Sequence, residues 1–352
     1  MERVTPLELF FDLVFVFALT QATALLATEI TWVNYLRGIA VLAAVWWAWV
    51  GFSWLTTARD AEGEWRRLPI VGAMAAMLVL GLAIPRSFAE DDLVFALAYA
   101  VVFVLFTVTY AVSVRDDPDM LRAVLKLSAG VITTPALLVV AALLGPGPER
   151  TTLVVVALAI AYVTPVVVGV QGWQVSPAHF AERHGLIVII ALGESLVSIG
   201  LGAAEEPIGW PVVTGVTLGV LIAAGMWWLY FDVVARVAER QLAAVTGAAR
   251  NAMARDSYTY LHLPMVVGIV FLALGLKKSL AEPDEPLKVL LGVALFGGVS
   301  LYLLAHVAFR LRNVGTLNVQ RLVVAVGLLV VIPVVTVLPA LGSVALLAVV
   351  VN

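Results

Sequence analysis

Apolar runs recur along the whole chain, separated by short polar loops. A helix crossing the hydrocarbon core needs about 20 such residues, so each run is read as a membrane span. The pattern predicts spans at 7 to 27, 32 to 55, 68 to 84, 93 to 113, 121 to 144, 152 to 170, 184 to 204, 211 to 231, 258 to 276, 287 to 308 and 320 to 340, then an apolar tail from 341. Residues 322 to 351 are too long for one helix and too short for two full ones, and Pro333, Pro339 and Gly342 invite a break. The first span carries only Arg3 before it, contains Asp12 and is followed by no convincing small-residue cleavage site, so it reads as a helix rather than a signal peptide.

Composition reinforces this picture: of 352 residues 62% are hydrophobic and 13% charged, and the mean hydropathy is +1.04. One soluble core could not hide so much apolar surface. With no cysteine, disulfides and thiol chemistry are excluded. Lys and Arg fall roughly three to one on the side of the N-terminus, which predicts a multi-pass protein with that terminus in the cytoplasm.

Matches in register suggest an internal duplication. Glu2-Arg3 precedes the first span as Glu182-Arg183 precedes the seventh, and "AAVWWAWVGF" at 43 to 52 aligns with "AAGMWWLYFD" at 223 to 232. "RLPIVGAMAAMLVLGL" from 67 aligns with "HLPMVVGIVFLALGL" from 262, and Arg122 to Pro135 with Arg321 to Pro333. Six spans per half return the chain to the same side, so the halves are parallel repeats. The expected architecture is an all-α polytopic membrane protein of about 12 transmembrane helices: residues 1–175 form the first six-helix repeat and 176–352 the second, its last helix short.

Acids inside a span cost about 2.5 to 3.5 kcal/mol each and usually face a protein interior or water. Glu8 and Asp12, four apart, share one face of the first span, and Thr23 returns to nearly the same azimuth. Thr5-Pro6-x-Glu8 also has the form of a helix start, so Glu8 could simply cap it. In "AERHGLIVIIALGESLVSIG", Ala181 to Gly200, Arg183 and His184 stand at the mouth and Glu194-Ser195 about ten residues in, near the bilayer middle. A glutamate there is a candidate to exchange a proton, or else acts as hydrogen-bonded glue between helices. Asp232, His262 and His306 are expected to point inward near the cytoplasmic side, where histidine suits a proton relay. Arg37 is either an interface residue or the partner of a buried acid. Trp46, Trp47, Trp49, Trp54, Trp227 and Trp228 serve packing and interface anchoring, or line a pocket. Pro135, Pro165 and Pro333 either kink their helices or free carbonyls for an ion. No phosphate-binding loop, dinucleotide fingerprint, zinc-ligand cluster or nucleophile elbow is present, so neither cofactor nor metal is expected.

Both "ERVTPLELFFDLVFVFALTQ" and "ERHGLIVIIALGESLVSIG" resemble the two signature segments of the bacterial low temperature requirement A (LtrA) family. The resemblance implies a polytopic inner-membrane protein whose activity is unsettled, with motif residues at Glu2, Arg3, Glu8, Phe11, Asp12, Glu182, Arg183, His184, Gly193, Glu194 and Ser195. A fainter similarity, through Arg3 and Phe10-Phe11-Asp12, is to the endolysosomal potassium channels, which also have paired six-helix repeats.

The first expectation is a secondary transporter, proton-coupled in one form, in which Arg3, Glu8, Asp12, Arg183, His184, Glu194, Ser195, Asp232 and His306 bind substrate, ion or proton at the repeat interface. A cation channel lined by the first and seventh helices is the second. The third is an intramembrane enzyme or lipid-binding protein using the acids as general acid and base, and a purely structural role is the fourth. Expected partners are membrane lipids and a small solute or ion, with self-association into a homo-oligomer compatible; no nucleic acid is expected.

Overall fold

A computed structural model describes residues 4–57, 67–204 and 207–352, except the side chain of Val233. Among them ten helices are long and apolar enough to cross a membrane. The first seven are α1 (Pro6–Thr28), α2 (Trp32–Thr57), α3 (Arg67–Ala83, extended by a tighter turn to Arg86), α4 (Asp92–Ser113), α5 (Pro118–Leu144), α6 (Pro148–Val168) and α7 (Pro177–Ala204). After them come α8 (Trp210–Leu229), α9 (Ala235–Ala244), α10 (Gly247–Met253), α11 (His262–Ala281), α12 (Val289–Gly292) and α13 (Gly298–Val314). π-helical turns at Tyr230–Val234, Ala254–Tyr260 and Val293–Gly297 join α8 to α9, α10 to α11 and α12 to α13.

Local chemistry sets these ends. Proline stands first in α1, α5, α6 and α7, where its missing N–H loses nothing. Asp117 caps α5 by accepting from the N–H of Asp119 and Met120, and Asn318 caps α14 (Val319–Val330) by accepting from Arg321. Gly315, at φ 74°, closes α13 in the left-handed conformation.

The eleventh expected span, 320 to 340, is broken rather than continuous. After α14 the chain turns at Val331, forms the short α15 (Ile332–Val335) and restarts as α16 (Ala340–Val351). Pro333 and Pro339 cannot donate to a helix ladder. The backbone groups freed there pair instead with the loop after α11: Leu287 N–H reaches Leu338 O at 3.3 Å, Ala340 N–H reaches Glu285 O at 2.9 Å and Leu341 N–H reaches Pro283 O at 3.0 Å.

The chain divides into two compact units. One comprises residues up to Leu25, Arg37–Arg183 and Leu242–Arg255; the other comprises Leu26–Leu36, His184–Gln241 and Asp256–Asn352. The first has an aromatic core in which Phe15 meets Trp46 and Trp49 at 6.4 and 6.0 Å, and Phe11 meets Phe52 at 4.9 Å between ring centres. Trp46, Trp47, Trp49 and Trp54 are buried, whereas Trp227 and Trp228 are exposed. In the second unit α11 and α13 cross at Gly268 and Gly298, where an added Cβ would strike the other helix's carbonyl oxygen. Pro135 and Pro165 sit inside continuous helices, and the Pro165 carbonyl accepts from Arg255 at 3.2 Å.

Candidate functional site

The start of α1 is a capping box. Thr5 donates to Glu8 Oε2 from its N–H at 2.8 Å and its hydroxyl at 3.0 Å, and Glu8 N–H faces Thr5 Oγ1 at 3.4 Å. Yet Glu8 does more than cap: it is buried, and Asp12, one turn deeper on the same face, is 0% exposed. Arg183 of α7, itself 1% exposed, bridges the two acids. Its Nη1 lies 2.9 Å from Glu8 Oε1 and its Nη2 lies 2.7 Å from Asp12 Oδ1.

One face of α2 closes the site. Trp49 Nε1 donates to Asp12 Oδ1 at 2.8 Å, Arg183 lies over the Trp49 ring at 5.6 Å and also donates to Thr56 Oγ1 at 3.3 Å. Ser53 and Thr57 continue this face by helical spacing. His179, one turn before Arg183, places Nε2 at 3.1 Å from Glu8 Oε2 and Nδ1 at 3.2 Å from Thr57 Oγ1. Two carboxylates thus share one guanidinium, all three groups buried. Among the described residues Asp12 Oδ2, Arg183 Nε and Ser53 Oγ, all buried, find no hydrogen-bond partner. Each ion placed there loses several kcal/mol of hydration, which a single pairing only partly offsets.

The second unit holds a different constellation. His262, 0% exposed, donates from Nδ1 to the Ser257 carbonyl at 3.1 Å and accepts at Nε2 from the Tyr230 hydroxyl at 2.8 Å. The His184 ring lies 5.1 Å from His262 and 5.3 Å from Tyr258. His306 accepts at Nδ1 from Arg321 at 3.2 Å, while the other arm of that guanidinium takes the Leu229 carbonyl at 3.0 Å, where α8 enters its π turn. Tyr302 donates to Met226 O at 2.7 Å. Two of the three π turns carry Tyr230 and Tyr258 into this cluster, and such turns often mark functional sites. Glu194 accepts from Ser198 at 2.6 Å, and the Ser195 hydroxyl donates to its own helix at Leu192 O, 2.7 Å away.

Of the residues singled out from sequence, Glu8, Asp12 and Arg183 come together; His184, His262 and His306 join one aromatic cluster. Glu194 belongs to the second unit and has a serine partner one turn along its own helix. Arg3 lies outside the described residues. Asp232 corrects the reading: its side chain is 57% exposed and faces Arg236 at 4.0 Å. The π turn buries Tyr230, so a residue two positions on points the other way. Arg37 stacks over Phe88 at 5.4 Å and is not the partner of a buried acid in the first site. Arg150 takes Asp92 at 3.2 Å, an ion pair that sequence reading did not single out. It also missed His179, Thr56, Thr57, Tyr230, Tyr258 and Arg321. The signal for His179 was present, since it stands four residues before Arg183, but the apolar run that marked the seventh span begins only after both.

The model of the family described as "Bacterial low temperature requirement A protein (LtrA)" matches residues 3–352. This chain belongs to the LtrA family. It is also 33% identical, over 311 residues, to an uncharacterized protein of Rhizobium meliloti (strain 1021), a match covering 84% of this chain and 74% of that protein. No solved structure matches. The two segments that carry the resemblance to the family supply the buried Glu8, Asp12 and Arg183, and, in the second unit, His184 and Glu194.

Proposed function

We propose that this LtrA-family chain is a secondary transporter of the bacterial inner membrane, N-terminus inside, whose coupling ion binds at Glu8, Asp12 and Arg183. The observation that carries the reading is the unequal count of charges: two buried carboxylates on one face of α1 meet one guanidinium from α7. A helix lock needs only one acid per base. The second acid leaves a negative charge in a low-dielectric interior, which is tolerable only when a cation or proton neutralises it. Occupancy by the ion then alters the energy of the site enough to bias one conformation over another, which is what coupling requires.

Two features of the sequence agree with this. The in-register matches between residues 43 to 82 and 223 to 276 fit parallel repeats, an architecture that supports alternating access. The acids sit inside a span and not in a loop. The test is uptake of a panel of labelled solutes by proteoliposomes under imposed proton and sodium gradients. The wild type is expected to accumulate a solute against its gradient, and Asp12→Asn to lose that accumulation. Uptake by Asp12→Asn equal to wild type, or steady single-channel currents in a planar bilayer, would overturn the proposal.

A further inference from the structure

Resting on that transporter reading, we propose that the coupling ion is a proton, carried by the His179 ring between Glu8 Oε2 and Thr57 Oγ1 and exchanged with a cleft at Thr57.

Hydrogen-bond donors and acceptors around His179 can be counted in full. Thr57 donates its hydroxyl hydrogen to the Ser53 carbonyl at 2.7 Å. Its oxygen therefore accepts at the longer contact, 3.2 Å, and His179 Nδ1 carries a hydrogen. On the other side Nε2 lies 3.1 Å from Glu8 Oε2, an oxygen already accepting twice from Thr5. Two bare lone-pair atoms at that separation repel each other. With the Thr57 hydroxyl turned to Ser53, one more hydrogen lies on Nε2 and the ring is an imidazolium; with it turned to Nδ1, the ring is neutral and its Nε2–H donates to Glu8, so the two states of the same geometry differ by one proton. In the first state the group of Glu8, Asp12, Arg183 and His179 is neutral. In the second it carries one negative charge.

A metal cation is disfavoured by the same inventory. Hard cations take about six oxygen ligands. Arg183 occupies Glu8 Oε1 and Asp12 Oδ1, and Thr5 with His179 occupies Glu8 Oε2. Among the buried oxygens of the described residues in the site, Glu8 Oε1, Asp12 Oδ2 and Ser53 Oγ lack a hydrogen-bond partner, and the first of these is already ion-paired with Arg183, too few to coordinate such a cation.

An exit lies beside Thr57. A cleft of about 560 Å³ is lined by Thr57, Trp173, Gln174, Ser176, Arg250 and Asn251 among others. Asn251 holds its rim by donating to Val170 O and Trp173 O at 3.1 and 2.6 Å. Release breaks the Nδ1–H bond of the imidazolium, and the proton passes by Thr57 Oγ1 to a cleft water. The hydrogen on Nε2 stays and donates to the Glu8 carboxylate. Loading is the reverse. Among the described residues, the charged groups near His179 include Glu8 and Asp12 on α1, Arg183 and Glu182 on α7 itself, and Arg250 in the cleft lining.

Two readouts on the full-length protein in liposomes test this. In ¹⁵N NMR of the histidine rings, the His179 signal, assigned by its loss in His179→Gln, is expected to switch from a doubly to a singly protonated ring as the proton is released, with no infrared band of a protonated Glu8 carboxyl in either state. A pH-jump proton release of one equivalent in wild type is expected to vanish in His179→Gln, with the fold checked by circular dichroism. A His179 ring that stays singly protonated while Glu8 stays ionised would overturn the proposal. So would a melting temperature that rises with sodium but not with choline, since that marks sodium as the bound ion. That last result leaves the transporter reading standing, whereas a protonated pair in a protein that moves no solute sinks transport alone.

Discussion

At the scale of single residues, Arg183 carries two acids and the acids do not carry each other. Arg183→Ala strands Glu8 and Asp12 together, and breaking a buried pair in this way costs about 3 to 5 kcal/mol. Asp12→Asn keeps an oxygen for Trp49 and leaves Arg183 on Glu8, so its cost is expected to be about 1 kcal/mol. Thermal melts in detergent should therefore rank Arg183→Ala far below Asp12→Asn. Arg183→Ala/Asp12→Asn should recover part of the loss, because one of the stranded charges is gone. A double variant no better than Arg183→Ala would show that the acids are not the reason Arg183 is needed. Arg183→Lys is not a mild change here, since one ammonium lacks the planar fork that reaches both carboxylates.

Elements show how far the sequence could be read and where it stopped. Ten of the eleven apolar runs became long helices among the described residues because length and hydropathy are strong local signals. The break near Pro333 was visible for the same reason. The start of α7 was not: His179 and Arg183 are polar, so a rule that looks for apolar runs begins the helix at 184, whereas it begins at Pro177. π turns leave no mark in composition, and so Asp232 was expected inward and Tyr230 passed unnoticed. Glycines carry a similar lesson, since their role depends on what a methyl would meet. An added Cβ at Gly268 strikes the Gly298 carbonyl oxygen, while at Gly193 it meets no described atom within 4 Å. Gly268→Ala is expected to lower the melting temperature through overpacking of about 1 to 3 kcal/mol. Gly193→Ala should leave it unchanged or raise it, by about 1 kcal/mol at most. Equal effects of the two would mean that close approach of α11 and α13 is not what Gly268 provides.

For the molecule as a whole, the bias of Lys and Arg carries the proposal that the N-terminus lies inside. A chain without cysteine makes this easy to check. Asp116, between α4 and α5, has a side chain 93% exposed, and Glu90, before α4, one 82% exposed. In intact cells a membrane-impermeant maleimide is expected to label Glu90→Cys and to label Asp116→Cys only after permeabilisation. The opposite pattern would invert the topology.

The claim on which the account rests is that a buried, titratable charge at Glu8, Asp12, Arg183 and His179 responds to the coupling ion. It is tested most directly by the current that follows a pH jump over proteoliposomes adsorbed on a supported membrane, a measurement that needs no solute. Wild type is expected to give a brief transient as the site changes charge, and His179→Gln to give none. A transient unchanged in His179→Gln, or its absence in wild type, would contradict the account.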